Sequence, residues 1–268
     1  MRAALEACRR WEEEGRDVAA ATLVAVAGSA PRRAGARLLV TSAGETWGSV
    51  SNGCVEGDVA AHAVEVLRSG KPRLAAYGIA DEQAFAVGLS CGGEIEVFIE
   101  PWAGLAARLG GVPAEDFVGA LATVVAGPGE GAHGLFDRER GLVAGDLPGP
   151  VVDGLGPGVP DLVDAEQSRV LSVGGARVFV ETVAPAPRLI VFGAGHSAEA
   201  LVPAAAAAGF RVVVCDPRAA LAVAERYPAA AAVHVGWPDQ VVPGLALDRR
   251  TFVAVLAHEP RLEGPLLP

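Results

Sequence analysis

The sequence predicts an α/β protein with a mixed α/β N-terminal domain followed by a parallel α/β C-terminal domain. Apolar strand patterns and helical patterns are interspersed along the first hundred residues. A proline-rich segment at residues 184–188 resembles a linker. The stretch after it reads strand, glycine turn, helix and strand, which is typical of a doubly wound domain. We therefore predict domains at residues 1–184 and 188–268.

Length, composition and charge exclude some classes of function. The chain has 268 residues, of which 51% are hydrophobic, and a formal net charge of −10. That size suits two domains with real cores, and the acidic balance argues against a nucleic-acid partner. We see no apolar run long enough to cross a bilayer, and the charge-dense start lacks the apolar core of a signal peptide. We expect a cytoplasmic protein without a membrane partner.

The N-terminal domain begins with a helix, and its elements follow from apolar spacing and from glycine and proline breaks. Helices are predicted at residues 2–14 and 54–68, and strands at 18–27, 37–41, 73–79 and 94–100, with a short strand around Trp47. The middle of the chain, residues 103–187, is less regular. There the pattern predicts strands only at residues 122–127 and 177–183.

The C-terminal domain carries a Gly-x-Gly-x-x-Ala fingerprint at Gly193, Gly195 and Ala198, directly after an apolar strand. This context predicts a Rossmann-type domain. The glycines would let a phosphate approach the helix N-terminus, with His196 at the mouth of the turn. Asp216, at the end of the next strand, would accept a hydrogen bond from a ribose hydroxyl. The alternative is that the glycines only permit close strand-to-helix packing.

The segment "GSAPRRAGAR" concentrates positive charge in an acidic protein. Arg32, Arg33 and Arg37 lie close to Gly28, Ser29 and Gly35, which we expect to leave backbone N–H groups open. Guanidinium groups and open backbone N–H groups together suit an anion, so we predict an anion-binding loop rather than a merely solvated one.

The four cysteines differ in context. Cys8 and Cys215 lie in apolar patterns and are predicted to be buried, whereas Cys54 and Cys91 adjoin glycine turns. The position of Cys54, at the head of a helix, is one where thiolates are stabilised. Such thiols could bind a soft metal or carry a persulfide, the alternative being two small residues packed under turns.

Four segments, in this order, resemble the XdhC/CoxI family of accessory proteins for xanthine dehydrogenase and related molybdenum hydroxylases. They are "GSAPRRAGARLLVT", "GSVSNGCVEGDV", "VGLSCGGEIEVFIEP" and "VFGAGHSAEAL". The resemblance covers most of the chain and is weakest over residues 103–183. It implies an N-terminal XdhC/CoxI domain joined to a Rossmann-like domain.

The resemblance also implies a cofactor and the residues that meet it. The cofactor is the molybdenum cofactor, as molybdopterin or its cytidine dinucleotide. The family's motif positions are occupied here by Ser29, Arg32, Gly35, Ala36, Gly53, Cys54, Glu56, Cys91, Gly92, Gly93, Gly193, Gly195 and His196. Our hypothesis is that the arginine loop holds the phosphate while Cys54 and Cys91 lie near the metal.

The implied activity is that of a non-catalytic chaperone that supports sulfuration of the cofactor and delivers it. The implied partners are a cysteine desulfurase, the large subunit of a xanthine dehydrogenase-like hydroxylase, and a second copy of the chain. One alternative is an NAD(P)-dependent oxidoreductase with a reactive cysteine; another is a nucleotide-sensing or interaction domain. The family's Rossmann half continues beyond the length seen here, so we expect an incomplete C-terminal domain.

Overall fold

The computed structural model describes residues 1–78, 92–103, 105–245, 247–256, 261 and 264. The chain forms two compact units, Met1–Ala184 and Pro185–Pro268, which are described separately. Among the described residues no helix has both the length and the apolar character needed to cross a membrane.

The N-terminal unit contains a first sheet of five antiparallel strands. They are β1 (Val18–Ala27), β2 (Arg37–Thr41), β3 (Thr46–Gly48), β4 (Arg73–Tyr77) and β5 (Glu94–Pro101), in the order β3-β2-β1-β5-β4. Helix α1 (Arg2–Glu13) precedes the sheet, and α2 (Glu56–Ser69) covers one face. Val59, Ala63 and Val66 recur on the buried side of α2, as the helical spacing predicted, and left-handed Gly70 ends the helix.

A second five-stranded antiparallel sheet follows. Its strands are β6 (Gly119–Ala126), β7 (His133–Asp137), β8 (Gly141–Gly145), β9 (Arg169–Val173) and β10 (Ala176–Val183), in the order β8-β7-β6-β10-β9. A short helix, α3 (Leu105–Arg108), precedes it, and α4 (Gly149–Leu155) and α5 (Val159–Asp164) cover its outer face. Sequence patterns predicted only β6 and β10, the two strands with long buried apolar runs.

The two sheets pack face to face, so this unit has helix, sheet, sheet and helix layers. Val24 and Phe98 of the first sheet pack against Val125 and Phe179 of the second. The interface also holds a buried pair in which His133 Nε2 lies 3.0 Å from Glu100 Oε1. Buried charged groups are stable only when paired, so such contacts fix how the sheets face each other.

The C-terminal unit is a parallel sheet of four strands. These are β11 (Arg188–Phe192), β12 (Arg211–Asp216), β13 (Ala232–Val235) and β14 (Thr251–Val255), in the order β13-β12-β11-β14. Helix α6 (His196–Ala207) connects β11 to β12, and α7 (Pro238–Val241) follows β13. The order matches the first four strands of a Rossmann fold, and the predicted fold class is confirmed.

Candidate functional site

Three segments with predicted functional residues meet at one end of the first sheet. Residues 28–36 join β1 to β2, residues 49–55 join β3 to α2, and residues 92–93 precede β5. Because β1 is antiparallel to β2 and β5, and β2 to β3, these connections all emerge at the same end. We call this the loop end of the sheet, and name the first two segments the 28–36 loop and the 49–55 turn.

The 28–36 loop touches the Cys-Gly-Gly segment through its backbone. A Cβ atom built on Gly93 would lie 2.0 Å from the carbonyl oxygen of Ser29 and 3.1 Å from that of Ala27. From the other side, a Cβ on Gly28 would lie 3.5 Å from the Cα of Gly93. The two motifs are therefore neighbours, and Gly93 is required sterically. Cys91 lies outside the described residues.

The arginines of the 28–36 loop face solvent. Arg32 and Arg33 are exposed, and residues 31–36 line an open concavity of about 460 Å³. Neither guanidinium forms an ion pair with any residue in the described ranges. Two exposed positive charges that form no ion pair among the described residues, beside a concavity of this size, suit an anionic small molecule, for which sites of about 300–1,000 Å³ are usual.

Arg37 corrects one expectation from the sequence, because it does not belong to the anion-binding arginines. It is only 6% exposed, and its two terminal nitrogens lie 2.9 and 2.5 Å from the carboxylate oxygens of Glu181 in the second sheet. One of these nitrogens also donates to the carbonyl oxygen of Gly35. Burial opposes ionisation of Glu181, but Arg37 holds the pKa of that carboxyl below its usual value. Arg37 therefore anchors the end of the loop.

The 49–55 turn is organised around one carboxylate. Glu56 Oε1 accepts hydrogen bonds from Ser49 Oγ (2.7 Å), Val50 N (3.1 Å) and Ser51 N (2.7 Å). Its Oε2 accepts from Ser51 Oγ (2.5 Å) and Gly53 N (2.7 Å). Burial raises the pKa of Glu56, but these donors outweigh it and lower the pKa from 4.5 to about 2.

Cys54 lies near the end of this turn, two residues before α2 begins. The helix begins at Glu56, two residues later than the apolar spacing predicted, and Val55 is its N-cap residue. Cys54 is partly exposed and packs against the core beneath α2, as do Ala30 and Ala36 of the 28–36 loop. The 49–55 turn and the 28–36 loop thus pack against the same hydrophobic core.

A polar cluster that the sequence analysis missed adjoins the loop end. The Tyr77 hydroxyl donates to Asp58 Oδ2 at 2.8 Å, and His62 Nε2 lies 3.2 Å from the same oxygen. Burial and this hydrogen bond to Asp58 raise the pKa of Tyr77. The i,i+4 spacing of Asp58 and His62 was the available signal. Across the described part of the chain, no three His, Cys, Asp or Glu side chains converge as a metal site.

In the C-terminal unit, the glycine turn lies where the strand order reverses, between β11 and β14. Gly193 has φ 109°, and Gly195 is the N-cap residue of α6, which has no side-chain cap. The side chain of His196 is 99% exposed. Ligands of parallel α/β sheets bind at such a switch point.

Asp216 has partners within the protein. It is fully buried, and its Oδ2 accepts from Ala194 N at 2.7 Å and from Arg218 Nη2 at 2.8 Å. Its Oδ1 accepts from the backbone N and Nε of Arg218. Both oxygens are thus occupied, and a ribose could use Asp216 only by displacing Arg218.

Two family models match the chain. Residues 11–78 match the XdhC and CoxI family, and residues 189–268 match the XdhC Rossmann domain. Together they cover more than half of the chain. The first includes the arginine loop and the cysteine turn, and the second includes the glycine turn.

Two proteins and one crystal structure that are similar to this chain differ in how much of it they cover. A Bacillus subtilis protein, named as a probable subunit of xanthine dehydrogenase, is 29% identical over 248 residues, covering 92% of this chain and 73% of its own. The molybdenum cofactor insertion chaperone PaoD of Escherichia coli is 40% identical over 81 residues, covering 30% of this chain and 25% of its own. A Bacillus halodurans crystal structure, described as a xanthine dehydrogenase, shares the fold with a TM-score of 0.71 at 23% identity, covering 98% of this chain and 77% of its own.

Proposed function

Because the chain belongs to the XdhC and CoxI family, we propose that it is an accessory protein that binds the molybdenum cofactor and delivers it to a xanthine dehydrogenase-type hydroxylase. The observation that carries this proposal is the meeting of an arginine loop with a cysteine turn at one end of one sheet. The name of the PaoD relative points to the same activity.

The donor set at the loop end fits an anionic pterin phosphate. Arg32 and Arg33 would hold the phosphate with paired N–H groups, and the open concavity beside them leaves room for a small molecule. Ser29 and the glycines Gly35, Gly53, Gly92 and Gly93 have no bulky side chain, so the ligand could come close to the backbone there. The N–H groups of Gly35 and Gly53 already donate to Leu23 O and Glu56 Oε2. Arg37 stays out of contact and keeps the loop in place.

The cysteine thiols would lie near the molybdenum end of the cofactor, away from its phosphate. When bound, the cofactor supplies a molybdenum centre that takes sulfur ligands. Cys54, and Cys91 on the adjoining segment, would bind near that centre and keep its sulfur ligand from solvent. We propose that a cysteine desulfurase supplies the sulfur and that the chain acts in the cytoplasm as a homodimer.

We propose a nucleotide site in the C-terminal unit, because an uncapped helix begins at the switch point. Gly193, Gly195 and His196 would hold a phosphate of NAD(P) or another nucleotide. This feature also favours the second candidate function, an NAD(P)-dependent oxidoreductase that uses a reactive cysteine. Steady-state nucleotide turnover with candidate substrates separates the two, because a chaperone binds nucleotide without consuming it.

The decisive experiment measures cofactor content. The full chain is purified from cells that make molybdenum cofactor, and pterin fluorescence after oxidation is compared with molybdenum by mass spectrometry. We expect both in near-stoichiometric amounts, and a loss of at least about tenfold in an Arg32→Ala, Arg33→Ala variant, since two charge-assisted contacts disappear. Arg68→Ala, which removes an exposed arginine at the far end of α2, is the matched control. A parent protein without pterin, or an arginine variant with full content, would overturn the proposal.

A further inference from the structure

We propose that Glu56 is a positioning residue, which fixes the 49–55 turn so that Cys54 is presented at the start of α2. The inference deepens the proposed function and rests on it, since it assigns a role beside the cysteine rather than a contact with the cofactor.

The carboxylate of Glu56 has no strong acceptor site left for a ligand. Three donors converge on one oxygen and two on the other, all within 3.1 Å. A carboxylate has about four lone-pair sites, so five protein donors occupy it fully. A negative charge would also repel an anionic cofactor. Direct contact, which the family motif suggests for Glu56, is therefore a poorer assignment than positioning.

Hydrogen bonds of this network lie on both sides of Cys54 in the sequence. Gly53 N, directly before Cys54, donates to Glu56 Oε2 at 2.7 Å. Directly after it, Val55 N donates at 2.9 Å to Ser51 Oγ, which in turn donates to the same carboxylate oxygen. The backbone N–H groups of the two residues that flank Cys54 are thus tied to one carboxylate, that of Gly53 directly and that of Val55 through Ser51.

The backbone of the 49–55 turn has unfavourable torsion angles that these hydrogen bonds stabilise. Asn52 has φ 59° and Gly53 has φ 106°, both in the left-handed region. A non-glycine residue there adds a local cost that the surrounding contacts must offset. Asn52 N donates to Ser49 Oγ at 2.9 Å, and Ser49 Oγ donates to Glu56. Without the carboxylate, each serine hydroxyl would keep only its backbone donor, Asn52 N for Ser49 and Val55 N for Ser51.

Positioning and plain electrostatics predict opposite results for Glu56→Gln. If Glu56 acted only by its charge, its neutralisation would favour the Cys54 thiolate. If Glu56 holds the turn against the helix N-terminus, the amide breaks the hydrogen bond from Gly53 and disfavours the thiolate. Asp58→Asn is the matched control, because it removes the same charge from the same helical turn and leaves the serine and glycine donors untouched.

The experiment follows alkylation of Cys54 by iodoacetamide from pH 5 to 10, quantified by peptide mass spectrometry, in a Cys91→Ser background without cofactor. For Glu56→Gln we expect a midpoint of the pH–rate profile displaced upward and a rate at pH 7 reduced by roughly fivefold, the size of a helix-terminus effect. For Asp58→Asn we expect an unchanged or downward midpoint. Circular dichroism checks that each variant is folded.

Ser51→Ala tests the same inference without a charge change. It removes the link between Val55 and Glu56, so the midpoint should move upward, by less than in Glu56→Gln. A downward or unchanged midpoint in both Glu56→Gln and Ser51→Ala would overturn the positioning role. Because the assay uses protein without cofactor, its outcome is separate from the cofactor-content experiment, whose failure would overturn the proposed function instead.

Discussion

The carbonyl oxygen of Ser29 lies against Gly93, in the position that a Cβ atom of any other residue at 93 would take. The contact joins two motifs that are more than sixty residues apart in the sequence. It fixes Gly93 against the backbone of the 28–36 loop.

Gly93→Ala tests this contact. The added Cβ would lie 2.0 Å from a backbone oxygen, which cannot rotate away, so the loop end must shift. We expect a loss of about 2 kcal/mol or more in the free energy of unfolding, measured by urea denaturation, together with reduced cofactor content. In Gly57→Ala, by contrast, the Cβ meets nothing within 4 Å. That control should be neutral or stabilising by up to about 1 kcal/mol, and an equal loss in both variants would refute the steric argument.

Arg37→Met should destabilise the N-terminal unit strongly. It leaves the buried Glu181 carboxylate without its main partner, for which losses of about 3–5 kcal/mol are usual. Thermal unfolding of the full chain measures the effect. Arg10→Met, on an exposed position of α1, is the control. Addition of Glu181→Leu to Arg37→Met should restore part of the loss, and a double variant no better than the single one would count against the pair.

The stability of the N-terminal unit should fall in acid, and part of the fall belongs to Glu56. Its pKa drops from 4.5 to about 2 on folding, so its stabilisation is complete above pH 4.5 and is lost as the pH falls through about 2. Unfolding by urea at several pH values between 2 and 6 measures this. Glu56→Gln should be less stable than the parent at pH 6, with a gap that narrows toward pH 2. A gap independent of pH would contradict the assignment.

Cys8 and Cys215 should resist thiol reagents in the folded protein. Both are buried, and burial raises the pKa of each thiol to about 12. Iodoacetamide at pH 8 should therefore label Cys54 at least about tenfold faster than either, because the thiolate is the reactive form. Peptide mass spectrometry gives the three rates. Labelling in urea should equalise them, and rapid native labelling of Cys8 or Cys215 would show that the burial is wrong.

Asp216→Asn should weaken the glycine turn of the C-terminal unit. The carboxylate accepts from Ala194 N and from Arg218, and an amide leaves at least one of these donors unpaired in a buried position. We expect a loss of about 1–3 kcal/mol in stability. Asp239→Asn, at an exposed position of α7, should change nothing measurable. A stable Asp216→Asn protein that had lost only nucleotide affinity would instead favour direct contact with a ribose.

Much of this architecture was predictable because its signals are local. The strand, glycine turn and helix around Gly193 follow from apolar runs and from turn residues, and so do β1, β2, β5 and α2. The burial of Cys8 and Cys215 followed from their apolar neighbours in the sequence. The arginine loop and the cysteine turn were found as motifs, and their positions at one end of the sheet follow once β1 pairs with β2 and β5.

The remainder depended on partners that are distant in sequence. Arg37 has the same local context as Arg32 and Arg33, but it opens β2 and meets Glu181, which lies 144 residues away in the chain. Only two of the five strands of the second sheet were predicted, since β7, β8 and β9 are short strands with glycines or polar residues. Glu56 was expected to contact a ligand, and only the folded structure shows its five donors.

The pairing of β1 with β5 has a consequence for how the chain acquires its site. Ala27 pairs with Glu94, so the central strands of the first sheet are joined only by closing a long loop. Contacts of this kind form slowly, because the entropy of closure must be overcome first. During synthesis the arginine loop leaves the ribosome well before Gly93. The loop end is therefore completed late, after the segments of α2 and β4 have been synthesised, because β4 pairs with β5 and the contact between Gly93 and Ser29 forms only once β5 has been made.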